Sequence, residues 1–168
     1  MRRDVGELPL GWLATAAGLW LLGFLVPAYL ALVPRTGSVL PRWQLGATVA
    51  AITSVGFVAL GLGVHPHGPS SLDYSETIAR GHWCLELGLA TALVPVIAGA
   101  LFLRGALPIG ARWTAAALGA SGGALGGLVL HFHCRIADQI HVGVIHGGVV
   151  LVAALLAAAL VPRVSSPP

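Results

Sequence analysis

The sequence predicts an all-α polytopic transmembrane helical bundle with five spans, oriented N-out and C-in, and three observations carry that reading. The chain has 168 residues, of which 57% are hydrophobic and only 9% charged, whereas in a water-soluble domain about a quarter of residues carry charge. Its mean hydropathy is +0.88. Its apolar residues fall into five continuous stretches, approximately residues 10–33, 44–63, 83–103, 112–131 and 140–161, each close to the roughly 20 residues an α-helix needs to cross a hydrocarbon core of about 30 Å. Five crossings use up the length, so residues 1–168 read as a single integral membrane domain.

The first span follows Arg2 and Arg3 as a secretory signal would. Its apolar run is about twice a typical signal core and no small-x-small cleavage site follows, so it is read as a retained helix. Trp12, Trp43, Trp83 and Trp113 each stand at the start of a span, where an indole buries its ring and keeps its N–H among the headgroups. Pro27 and Pro95 fall inside the first and third spans, which membrane helices tolerate with a kink. The fourth span places Gly119, Gly123 and Gly127 at four-residue intervals, with Gly122 and Gly126 beside them. Such a stripe lets another backbone approach closely, either a helix of the same chain or one from a second copy in a homo-oligomer.

Orientation comes from arginine, because all nine basic residues are Arg. Loop one (Arg35, Arg42), loop three (Arg104, Arg112) and the C-terminal tail (Arg163) hold five Arg and no acid. The N-terminus, loop two and loop four hold Arg2, Arg3, Arg80 and Arg135 together with Asp4, Glu7, Asp73, Glu76 and Asp138. Five against four places the first set in the cytoplasm by the positive-inside rule. Parity then puts loops two and four on one face whichever way the chain inserts. His65, His67 and His82, with Cys84 just inside the third span, meet His131, His133, Cys134 and His141 there; in the predicted orientation that face is outside the cytoplasm.

Cys84 opens the third span, and Glu86 lies about half a turn further in. Cys134 ends the fourth, with His131 three residues before it on the same helix face. A short loop between these spans makes them antiparallel neighbours, so the two Cys ends can approach. His141 and His146 stand about 140° apart around an α-helix, so only one is expected to face the Cys pair, and His141 lies nearer the depth of Cys134. His146 is deeper, where an ionisable residue is costly and marks function. Glu86 reads as a proton carrier or ligand, or as a carboxylate stabilised by the helix N-terminus.

Three chemistries suit this set. A redox pair would cycle Cys84 and Cys134 through a disulfide. A metal sensor would use both thiolates with His131, His133 or His141, a sulfur and nitrogen set suited to zinc, copper or cadmium, with His82, Glu86 and His146 in support. Haem suits it least, since no two spans present matched intramembrane His residues. Two Cys are too few for a disulfide scaffold. With no basic run beyond Arg2 and Arg3 a nucleic-acid footprint is excluded. The absence of G-x-S-x-G, H-E-x-x-H and Walker signatures argues against an enzyme.

The segment Trp83-Cys84-Leu85 through Leu103-Arg104-Gly105-Ala106, the Gly- and Ala-rich fourth span ending in Leu130-His131-Phe132-His133-Cys134, and the tail from Leu151 to Arg163 resemble the NrsF-like membrane anti-sigma factors, over about residues 80–163. In that family a Cys opens one helix and a His-Cys pair closes the next, which corresponds to Cys84, His133 and Cys134 here; His141 and His146 fall in the polar start of the last helix. The resemblance implies a multi-pass protein of the bacterial inner membrane. It would hold an extracytoplasmic-function sigma factor and release it when an envelope metal or oxidant reaches the cysteines. It also implies six spans and a cytoplasmic N-terminal stretch, whereas this sequence shows five spans and about ten residues before the first. The sigma factor is then expected to meet loop one, loop three or the C-terminal tail. A haem- or copper-binding redox protein and a small structural membrane subunit are the alternatives.

Overall fold

The structure, a computed structural model, describes residues 9–33, 41–63, 74–104, 110–134, 136 and 138–165. All regular elements among them are helices: α1 (Leu10–Leu32), α2 (Arg42–Gly63), α3 (Tyr74–Phe102), α4 (Ala111–His133) and, after a π-helical turn at His141–His146, α5 (Gly147–Ser165). Five segments are long and apolar enough to cross a membrane: Leu10–Leu32, Trp43–Gly63, Gly81–Phe102, Ala111–His133 and His141–Arg163. Expected and observed spans coincide to within a few residues. The exception is the start of α3, where helix begins at Tyr74 rather than near Trp83 and takes in His82. Glu76 in its first turn complements the helix dipole, and the added turns lie before the apolar run. Pro27, Pro95 and Pro162 sit within continuous helices.

The bundle is organised around α4. In its most apolar stretch 78% of residues are buried, against 17% in α1 and in α3. The cause is its sequence, in which Ala and Gly occur on every side, so neighbours approach its backbone all round. A Cβ at Gly122 would lie 2.7 Å from the Ala92 carbonyl oxygen, and one at Gly126 would strike the Gly88 carbonyl, which fixes α3 antiparallel against this face. Gly119 and Gly123 face α5 at Ala153 and Val150, again antiparallel, while Gly127 receives the Trp20 ring of α1. The glycine stripe is therefore covered within one chain, by three different helices. α2 runs parallel to α4, its Gly46 lying under Trp113 and Thr114.

Trp20 stacks on Phe57 with ring centroids 3.9 Å apart and planes 9° from parallel. Together with Ala50, Ala116, Ala120, Ala124, Val150 and Ala154 these rings form the main core. Ser121 of α4 donates a 2.7 Å hydrogen bond to the Phe24 carbonyl of α1. Gly110, at φ 82° before α4, packs against Trp43 in a left-handed conformation that disfavours any side chain. Leu22, Val26, Ile52, Val55, Val94, Leu101 and Leu155 point outward and are exposed, as a lipid-facing surface requires.

The antiparallel order puts the α3 start, the α4 end and the π-helical turn at one end of the bundle. Arg104, Arg112 and Arg163 are exposed at the other. The expectations that rest on Arg2, Arg3, Asp4, Glu7, Arg35, His65, His67, Asp73 and Arg135 lie outside the described residues.

Candidate functional site

Cys84 lies four residues into the membrane-spanning part of α3, half-buried, on the face that Gly81 and Gly88 open towards α5 and α4. Cys134 is the residue on which α4 stops: its backbone is extended at φ −70° and ψ 131°, and its N–H still reaches the Leu130 carbonyl at 2.8 Å. The two sulfurs are 3.3 Å apart, and both are free thiols. They come together because α3 and α4 run antiparallel along a nearly side-chain-free seam, with Gly88 against Gly126 one turn below.

The last helix is started by Asp138. Its carboxylate oxygen accepts the N–H groups of Ile140 at 3.0 Å and His141 at 3.4 Å, which is N-capping by a short acidic side chain. Six residues of π-helix follow, His141 to His146. This turn overturns the expectation that His141 and His146 face apart. Five residues span about 140° in an α-helix, but in a π-turn the i to i+5 hydrogen bond brings residues five apart nearly over one another. Both imidazoles are buried, and their ring centroids are 5.2 Å apart. His141 Nε2 lies 3.3 Å from the Cys134 sulfur, while its Nδ1 is buried without a hydrogen-bond partner among the described residues.

Cys84, Cys134, His141 and His146 thus each offer a ligand atom, and these atoms all lie within 4.8 Å of one another. Two thiols and two imidazoles are the donor set of a zinc-class or other soft metal site. The hydrogen bond with Cys84 holds the Cys134 thiol below the usual thiol range, against the upward push of burial, and His141 and His146 add to the lowering. The thiolate is the form that ligates metal and attacks oxidants.

The other expected site residues are placed elsewhere. His131 is buried but turned towards α1, with its ring 5.2 Å from Trp12; there it borders a cavity of about 140 Å³ between α1, α2 and α4. His133 is exposed, and its Nδ1–H donates to the Val129 carbonyl at 3.1 Å. His131 and His133 therefore do not join the metal-ligating set, because α4 winds them away from the face that carries Cys134. His82 is exposed and donates from Nδ1 to the Ala79 carbonyl at 3.1 Å. Glu86 is exposed at a groove of about 510 Å³ between α3 and α5, among Leu89, Leu93 and Leu156. The paired imidazoles of the π-turn lie on one helix, with ring centroids 5.2 Å apart and planes 79° from parallel. Asp138 was missed in the sequence, although an Asp two residues before the last apolar run is a recognisable cap signal.

Comparison with curated proteins and with solved structures gives no match. A family model does match, and it reaches well beyond residue 80, where the sequence resemblance had stopped, to take in α1 and α2. The model describes NrsF, negative regulator of sigma F, and since it covers residues 5–165, the chain belongs to this family of sigma-factor regulators.

Proposed function

We propose that the protein is an anti-sigma factor of the bacterial inner membrane that restrains an extracytoplasmic-function sigma factor and reads envelope metal or oxidant through Cys84 and Cys134. The observation that carries this reading is the meeting of the two thiols, 3.3 Å apart, at one end of a bundle that belongs to a sigma-regulator family. The arginine distribution supports N-out and C-in, with the cysteine end facing the envelope. An oxidant such as peroxide would join the sulfurs: two thiols lose two protons and two electrons, and the peroxide leaves as two waters. A soft cation would instead displace the thiol protons and bind both sulfurs.

Either event pulls together the ends of three helices. Cys84 is on α3, Cys134 ends α4, and His141 and His146 precede α5. These helices touch backbone to backbone through Gly88, Gly122, Gly123 and Gly126. Such a seam has little side-chain slack, so a change at one end moves the rods as bodies. Arg104, Arg112 and Arg163 lie at the far end, on the proposed cytoplasmic side, where a sigma factor would be held or released.

The test is a sigma-dependent reporter expressed with the full chain. Cys84→Ser and Cys134→Ser are each expected to abolish induction by cadmium and by peroxide while repression without inducer persists. Unchanged induction in both variants sinks the sensor reading, and a reporter that is never repressed sinks the anti-sigma reading.

A further inference from the structure

The sensor reading leaves the inducer open between an oxidant that links two sulfurs and a metal that binds them. The geometry narrows that choice, and the inference rests on the same centre. A disulfide switch needs two cysteines and nothing more. Here both imidazoles of the following helix are buried against the pair, and burying two ionisable rings at membrane depth is costly unless they are used.

The local backbone points the same way. A regular α-helix from Asp138 would carry His146 around to another side of α5. The chain instead forms a π-turn between His141 and His146, a rare geometry that concentrates at functional sites. Neighbouring glycines make room for it. Gly143 lies against Leu62 of α2, Gly147 against Val58, and Gly81 of α3 leaves space for Ile145 and the His141 ring. The packing against α2 and α3 therefore accommodates a backbone form that brings both rings to the sulfurs.

We propose that Cys84, Cys134, His141 and His146 form a closed four-ligand site for a single zinc-class divalent cation, with the π-turn setting the third and fourth ligands. Two sulfur and two nitrogen donors within 4.8 Å of one another fit a tetrahedral ion with no open coordination position. Such a site regulates or braces; with no vacant position it has no place for substrate. Binding releases the thiol protons and ties α3, α4 and α5 at one point. The buried Nδ1 of His141, which has no hydrogen-bond partner among the described residues, is the atom a small change in ring setting would satisfy on ligation.

Cobalt(II) titration of the purified, reduced full chain in detergent tests this. The expected result is one cobalt per chain, with thiolate charge-transfer bands and the intense ligand-field absorption of a tetrahedral ion, reversed by zinc or cadmium. His146→Ala and His141→Ala should each weaken binding by at least the roughly 10–100-fold seen when mere supporting groups are lost elsewhere. His133→Ala should leave it unchanged. His146→Cys should keep the tetrahedral spectrum with added thiolate intensity, which separates loss of a ligand from loss of the fold. The proposal is overturned if cobalt does not bind, if it binds with an octahedral spectrum, or if His146→Ala binds like the parent. No cobalt binding, with a peroxide response that still needs both cysteines, would remove the metal site and leave the sensor. A tetrahedral site in a protein whose Cys84→Ser form still induces would do the reverse.

Discussion

At the scale of single residues, what distinguishes neighbours in sequence is which way the helix turns them. His131, His133 and Cys134 are within four positions of one another, yet His131 packs on Trp12, His133 faces outward and only Cys134 reaches the centre. Cys84→Ser and Cys134→Ser are accordingly expected to silence induction where His133→Ala does not, a contrast the same reporter measures. The core has its own hinge point in Trp20, whose ring lies on Phe57 and fills the space that Gly127 leaves. Trp20→Ala removes the largest buried side chain of α1, and a change of that kind typically costs about 3–5 kcal/mol. Denaturant unfolding in detergent, followed by helical content, should show that loss; a shift below about 1 kcal/mol would mean that α1 is peripheral.

At the scale of elements, two features decide the site: the glycine seam between α3 and α4 and the π-turn before α5. Gly126→Val would push a branched side chain into the Gly88 backbone, where nothing can yield without the helices parting. Overpacking of this kind costs about 1–3 kcal/mol or more. It should also separate the sulfurs, so disulfide formation by a mild oxidant, read on a non-reducing gel, is expected to fall sharply. Gly18→Ala meets nothing within 4 Å and should stay within about 0.5 kcal/mol of the parent. The register of the turn can be tested by inserting an alanine after Val144, which sets His141 and His146 six residues apart, roughly 120° around an α-helix, and so carries His146 off the cluster. Cobalt binding should then weaken while both thiols still form a disulfide; tight tetrahedral binding in the insertion variant would show that the register set by the π-turn is dispensable.

At the scale of the whole molecule, an odd number of crossings puts the termini on opposite sides, and the proposed orientation puts both thiols outside. Once metal is removed by a chelator, a membrane-impermeant maleimide should label the half-buried Cys84 in intact cells, while a fluorescent protein fused after Ser165 should fold in the cytoplasm. Labelling that requires permeabilised cells would place the centre inside and remove the envelope as its source of signal. The number of spans, the gathering of both cysteines at one rim and the likeness to sigma-factor regulators were all legible in the chain, because hydropathy, parity and the Cys84 and Cys134 positions depend on order along the sequence alone. The glycine stripe was legible as a packing surface but not as one shared between α5, α3 and α1, since periodicity says that a face is smooth and not what covers it. His146 was misjudged for a plainer reason: an α-helical wheel assumes 3.6 residues per turn. The structure departs from that value just where α2 and α3 crowd His141 to His146 through Gly61 and Gly81. Membership of the centre was therefore decided by tertiary packing, which sets the local helical pitch and with it the direction each imidazole takes.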